Sequence, residues 1–256
     1  MRVLICGMIR SGSTFSFNAA REILSESGRV STSTEDSFDE WVDESSFEHF
    51  ISKSHVPNPQ VTDEIRKGIV KAICTIRRPE DAIVSFQRAF GTGIEHSIQH
   101  VSDWLQWYSS IHSHLLTIDF DAIEAAPVSA VLKIDEFLSG RGDPDRAARI
   151  AAAYEKAALK ERLDALQEGV HTINIGFSYY DKVSFFHRRH ISSVVSCSAA
   201  ELISGEELSR IRDALKKFAD SSGNLRPVSA MSAEETNRES AAGVPFSGSA
   251  LAFGAG

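Results

Sequence analysis

The chain has 256 residues, 42% hydrophobic and 24% charged, enough for one large domain or two small ones around a buried core. Its net charge of −8 argues against a broad electrostatic grip on nucleic acid or anionic lipid, so any bound anion must be held by a local cluster of cations. Cys6, Cys74 and Cys197 are odd in number and far apart in sequence, which reads as reduced core thiols and argues against a disulfide framework or a zinc site.

The first residues, MRVLICG, run into a short apolar stretch with no small-residue cleavage site after it. No stretch approaches membrane-spanning length, so the expectation is a cytoplasmic protein without stable membrane insertion. VLIC (3–6) has the continuous apolar character of a strand buried on both faces of a parallel sheet. The glycine loop GMIRSG follows at once. After it, STFSFNAAREILSES spaces Phe15, Ala19 and Ile23 at helical period and stops at Gly28.

The acidic, polar stretch Ser31 to Ser46 predicts loop with a little helix. FISKSHVPNP (50–59) predicts a short strand ended by a basic pair and stopped by two prolines. GIVKAICTI (68–76) predicts a second strong strand. The following RRPEDAIVSFQRAF predicts a helix with Pro79 at its first position, Ala82, Ile83, Phe86, Ala89 and Phe90 on its apolar stripe, and Asp81, Ser85 and Arg88 on another face.

LLTI (115–118) is a third strand candidate, and Pro127 opens an amphipathic helix with Val128, Val131, Leu132 and Leu138. An alanine-rich helix is expected over 144–166. Ser204 and Glu207 form a capping box for a late helix that turns Leu208, Ile211, Leu215 and Phe218 inward. Residues 221–256 are rich in Ser, Ala and Gly without apolar period, so the organisation expected is one domain over 1–220 and a structureless tail over 221–256. Strands separated by helices predict an α/β fold with a mainly parallel central sheet.

The loop itself carries the first functional signal. Gly7 and Gly12 have the spacing of the Walker A pattern, but Ser13 stands where its lysine belongs and the cation appears earlier, as Arg10. Amides of a glycine-rich turn at a helix start bind phosphate, and Ser11, Ser13 and Thr14 add hydroxyls; the alternative is a plain turn with capping serines. ATP-driven phosphoryl transfer needs the missing lysine against the β- and γ-phosphates. KSH (53–55) at a strand end, RRPEDAIVS (77–85) and HRRH (187–190) supply further basic residues, each unremarkable alone as solvated surface.

Together these stretches resemble the sulfotransferases that use 3′-phosphoadenosine 5′-phosphosulfate (PAPS). The family's P-[KR]-S-G-[ST]-T loop is matched by IRSGST, its lysine–threonine–histidine element before proline by KSHVP, and its R-x-P-x-D-x-x-x-S segment by Arg77 to Ser85. FDAIEAAP (120–127) is similar to the family's Y-E-D-L stretch. The resemblance spans about residues 3–218 and implies a three-layer, P-loop-NTPase-like α/β fold.

It also implies roles. Ser11, Gly12, Ser13 and Thr14 would hold the 5′-phosphate, and Arg77 with Ser85 the 3′-phosphate. Arg10 would meet negative charge on the leaving group electrostatically, Lys53 would stabilise the transferring sulfuryl group, and His55 would take the acceptor's proton. Arg188 and Arg189 match part of the family's late R-K-G element, although His190 replaces its first glycine and neither the second glycine nor the tryptophan is present. Glu35 or Asp36 is the alternative base, because glutamate serves in the branch whose loop carries arginine.

The expected reaction is sulfuryl transfer to a hydroxyl or amine of a small molecule, glycan or lipid, with PAPS as donor, 3′-phosphoadenosine 5′-phosphate (PAP) as product and no metal. An atypical P-loop small-molecule kinase and a non-catalytic nucleotide-binding module are the alternatives. Phe90, Trp104, Trp107 and Tyr108 are candidate acceptor walls, but the spacing of the last three suits core. His96, His100, His112 and His114 lack a carboxylate or cysteine at ligand spacing. Oligomeric state is not legible.

Overall fold

A computed structural model describes residues 1–33, 46–174, 179–187 and 198–218. Five of its strands form one parallel sheet in the order β2-β3-β1-β4-β5: β1 Arg2–Ile5, β2 Val30–Ser33, β3 His49–Lys53, β4 Val70–Ile76 and β5 Leu116–Asp119. Side chains alternate across it with the two-residue period of a strand. Val3, Ile5, Ile51, Ile73 and Ile118 face one core, and Leu4, Cys6, Ala72 and Cys74 face the other.

The first core is covered by α1 (Ser13–Ser25), α6 (Pro127–Ser139), α7 (Pro144–Ala153) and α8 (Lys156–Asp164). The second is covered by α2 (Pro59–Arg66), α3 (Pro79–Phe90), α4 (Ile94–Ser109) and α10 (Gly205–Leu215). This is the expected three-layer α/β architecture. The described residues also hold two short helices, α5 (Phe120–Ala125) and α9 (Ala199–Leu202), and an antiparallel ribbon of β6 (Thr172–Asn174) and β7 (Tyr179–Asp181).

The strong strands and the proline-led helices fall where the sequence puts them, and Pro79 and Pro127 occupy first turns. Ser204 and Glu207 form the expected capping box, with Ile211, Leu215 and Phe218 buried. Trp104, Trp107 and Tyr108 are core residues. Their polar atoms reach the Cys6 carbonyl (2.9 Å), Thr62 Oγ1 (3.1 Å) and Thr117 Oγ1 (2.5 Å).

Three expectations are corrected. Ser31–Ser33, at the start of the Ser31–Ser46 stretch read as loop, belong to the edge strand β2, and 34–45 lie outside the described residues; the half-buried Ser and Thr side chains of β2 carry no apolar signal, and only pairing with β3 reveals it. The proline pair before residue 60 does not merely stop a strand. Asn58 caps α2 by accepting from the Val61 amide at 2.8 Å, and Pro59 supplies its first turn.

The alanine-rich segment is two helices, because Tyr154 leaves helical geometry to bury its ring near Phe186 and to donate from its hydroxyl to Glu22 at 2.9 Å. Cys6 and Cys74 are free and buried, as expected, but the β1–β4 register sets their sulfurs 3.0 Å apart. Cys197, Glu35, Asp36, Arg188, Arg189, His190 and the tail from residue 219 lie outside the described residues.

Candidate active site

Parallel order decides where the chemistry gathers. β3, β1 and β4 are neighbours, so the loops leaving their C-terminal ends meet in one crevice, and α1 and α3 depart to opposite faces of the sheet. Such a switch point is where open α/β sheets bind ligands.

From β1 comes the loop. A Cβ on Gly7 would lie 2.0 Å from Thr75 Oγ1, so only glycine permits this approach to β4. Ser11 is fully buried and its hydroxyl turns inward, 2.5 Å from the Met8 carbonyl and 2.6 Å from Thr75 Oγ1. Its hydroxyl therefore braces the loop, leaving the backbone amide as the group it offers a ligand. Gly12, with φ of 90°, is the N-cap of α1; no side chain caps that helix and no acidic residue sits in its first turn. The capping-serine alternative is thus not what the loop adopts. An uncapped helix start of this kind presents amides and a positive dipole end to an anion.

From β3 come Lys53 and His55. Burial, with no carboxylate offsetting it among the described residues, brings the Lys53 ammonium down to about 8. His55 Nδ1 lies 2.7 Å from the Gly7 carbonyl. A carbonyl only accepts, so Nδ1 carries the hydrogen and Nε2 is the bare, basic nitrogen. Burial first, then the Lys53 charge, holds His55 well below the ordinary histidine range, against the opposing Gly7 bond, so the ring is neutral near pH 7.

From β4 and α3 come Arg77 and Ser85. Arg77 donates to the Arg10 carbonyl at 3.3 Å and lies over the Phe120 ring at 4.4 Å. Arg10, in left-handed geometry with φ of 62°, reaches out of the loop to donate from Nε to Ser85 Oγ at 3.1 Å. Arg10 therefore ties the loop to the first turns of α3. Burial, then repulsion by Arg77, lowers its guanidinium to about 10, with Tyr180 opposing.

The structure thus brings together Arg10, Ser11, Gly12, Ser13, Thr14, Lys53, His55, Arg77 and Ser85. Arg10, Lys53 and Arg77 are each depressed primarily by burial; the Arg77 charge adds to this at Arg10, while Asp81, Asp121 and Glu124 oppose it at Arg77. Such a cluster is costly when empty and favourable around an anion. The loop and the Arg77–Ser85 segment lie next to each other, joined by the Arg10 bond to Ser85 and the Arg77 bond to the Arg10 carbonyl. Among the described residues no group of three His, Cys, Asp or Glu gathers at metal-binding range.

Sequence reasoning missed one wall. Rings run in succession from His55 to the ribbon: His55 to His100 (6.3 Å between centroids), His100 to Phe86 (5.5 Å), Phe86 to Phe90 (5.5 Å), Phe90 to His187 (5.9 Å) and His187 to Tyr180 (4.5 Å). Arg10 closes the arc 5.9 Å from the Phe90 ring. Asn18 and Arg21 hold the Tyr180–His187 segment by donating to the Ser184 and Val183 carbonyls. No local pattern joins Tyr180 to Arg10 across 170 residues; Phe90 was a candidate acceptor wall from the sequence, whereas Phe86 was legible only on the stripe of a helix.

Comparison with solved structures shows that this is the fold of PAP-binding sulfotransferases. The chain is similar to the mouse sulfotransferase SULT7A1 complexed with PAP, with a TM-score of 0.60 and 14% identity over 90% of this chain and 89% of that one. It is similar also to retinol dehydratase in complex with androsterone and inactive cofactor PAP (TM-score 0.53, 13% identity) and with retinol and PAP (TM-score 0.55, 12% identity), each over 85% of this chain and 81% of the other. No protein-family profile and no curated protein matches the sequence. Among the described residues no helix is long and apolar enough to cross a membrane.

Proposed function

We propose that the chain is a sulfotransferase, built as one domain over residues 1–220, that moves a sulfuryl group from PAPS to a hydroxyl or amine of a small-molecule, glycan or lipid acceptor. The observation carrying this reading is the cluster of depressed cations, Arg10, Lys53 and Arg77, around an uncapped helix start and a neutral histidine. A nucleotide with both 5′- and 3′-phosphates satisfies it. When bound, PAPS supplies the activated sulfuryl group.

The protein's own contributions follow from the site. The loop amides from Ser11 to Thr14 hold the 5′-phosphate, and Arg77 with Ser85 holds the 3′-phosphate. Arg189 and Arg188 would join them by resemblance. Arg10 stands where charge develops on the leaving side. It stays charged at neutral pH and acts by electrostatics, while Lys53 steadies the transferring oxygens.

His55 Nε2 takes the acceptor's proton, with Nδ1–H anchored to Gly7 so that the ring keeps one tautomer and one orientation. Anion binding beside Lys53 and Arg10 offsets the charges that depress His55 and raises its basicity when the donor is in place.

The test is calorimetric titration with PAP beside ADP and ATP, with and without magnesium, followed by turnover of PAPS over a panel of hydroxyl acceptors. Magnesium-independent preference for PAP, with turnover lost in His55→Ala and PAP affinity retained, is the expected result. Preference for magnesium–ATP would replace this reading with the kinase. PAP binding without turnover of any acceptor would leave a nucleotide-binding module.

A further inference from the structure

His100, on α4, meets the His55 ring edge-on, with 6.3 Å between centroids and 72° between planes. Its Nε2 is buried and has no hydrogen-bond partner among the described residues. Buried polar atoms in folded proteins are almost always paired, so an orphan beside a catalytic base points to a ligand atom. Phe86 covers the His100 ring on one side at 5.5 Å, and exposed His96, one helical turn earlier, lies beside it at 6.4 Å. The charged or titratable groups facing His100 are His96, Asp103 and His55, with Lys53 and Arg10 beyond His55. Burial and His96 favour its neutral ring, whose Nε2 serves as donor or acceptor according to tautomer.

Resting on the reading of His55 as the base, we infer that His100 sets acceptor specificity. Its Nε2 bonds a second oxygen on the carbon next to the attacking hydroxyl, so that the acceptors are vicinal diols rather than simple alcohols. The two imidazoles meet edge to face, one with a bare Nε2 for the reacting oxygen and one with an unpaired Nε2 for its neighbour. A simple alcohol satisfies the first and leaves the second buried and unbonded. Sites of this kind discriminate strongly, because the analogue that lacks the polar group leaves the protein's own group unpaired.

The experiment compares kcat/KM for cis-1,2-cyclohexanediol with cyclohexanol, and for catechol with phenol, using PAPS and the full chain. The same pairs are titrated calorimetrically into the PAP-loaded protein. The expected diol preference is about 10- to 100-fold. It falls to near one in His100→Phe, which keeps the ring shape without nitrogen, and returns in part in His100→Gln; PAP affinity checks that each variant is folded.

Equal use of diol and alcohol by the wild type, or a preference that survives His100→Phe, overturns the inference while the sulfotransferase reading stands. If PAP binds and neither acceptor turns over, the calorimetric ratio decides in the same way. Failure to bind PAP overturns the sulfotransferase reading and this inference with it.

Discussion

Replacing Lys53 by methionine should make the empty protein more stable and its ligand weaker. The folded ammonium titrates at about 8 against an ordinary 10.5, a gap worth about 3 kcal/mol at 1.36 kcal/mol per pH unit. Partial solvent contact of the side chain reduces the expected gain to about 1–3 kcal/mol. The sign follows from which state takes up the proton. Above pH 10.5 neither state is charged and the charge contributes nothing. Between 10.5 and about 8 the unfolded chain alone is protonated, so folding is increasingly disfavoured, and below about 8 the penalty is complete.

Lys53→Met removes that penalty, so urea unfolding at pH 7 should register the gain and unfolding at about pH 9.5 should lose more than half of it. A thermal midpoint would rise by about 2–4 °C per kcal/mol for a chain of this size. The same substitution should diminish the stabilisation that added PAP confers, since the proposed function assigns that charge to the anion. A variant that is less stable than the wild type, or equally stabilised at both pH values, would refute the idea of an uncompensated ammonium at the end of β3.

Three further outcomes are expected. Gly7→Ala drives a methyl into Thr75 Oγ1 and should cost several kcal/mol in urea unfolding, with partial recovery in the Gly7→Ala, Thr75→Ala double variant. Arg77→Ala should weaken PAP by about 10- to 100-fold in calorimetry and affect ADP far less, if the residue holds the 3′-phosphate as proposed. Asp135 is fully buried and bonds Arg146 at 2.7 Å. Asp135→Ala should therefore destabilise the α6–α7 pair by about 3–5 kcal/mol in urea unfolding, and Arg146→Met on that background should restore part of the loss.

Much of the fold was legible because its signals are local. A parallel strand buried on both faces must be apolar throughout, so VLIC and GIVKAICTI announce themselves. Proline and a capping box act within one turn, so helix starts at Pro79, Pro127 and Ser204 were readable. The edge strand β2 was hidden because a half-buried strand of Ser and Thr needs its neighbour to exist. The break at Tyr154 was hidden because a tertiary contact overrode the helical preference of the surrounding alanines.

The sequence by itself determined the chemical inventory of the site: a glycine loop whose lysine is missing, an arginine within it, a lysine and histidine after one strand, and an arginine and serine eight residues apart after another. These are short-range features, written in residue type and spacing. Only tertiary structure decided that β3, β1 and β4 are adjacent, that Arg10 leaves its loop to reach Ser85, that the Ser11 hydroxyl turns inward, and that Gly7 fixes the His55 tautomer. It alone set the unpaired nitrogen of His100 beside His55. Strand order and side-chain direction are settled by burial across the whole chain, and contacts between residues 48 to 75 positions apart leave no periodic trace in the sequence.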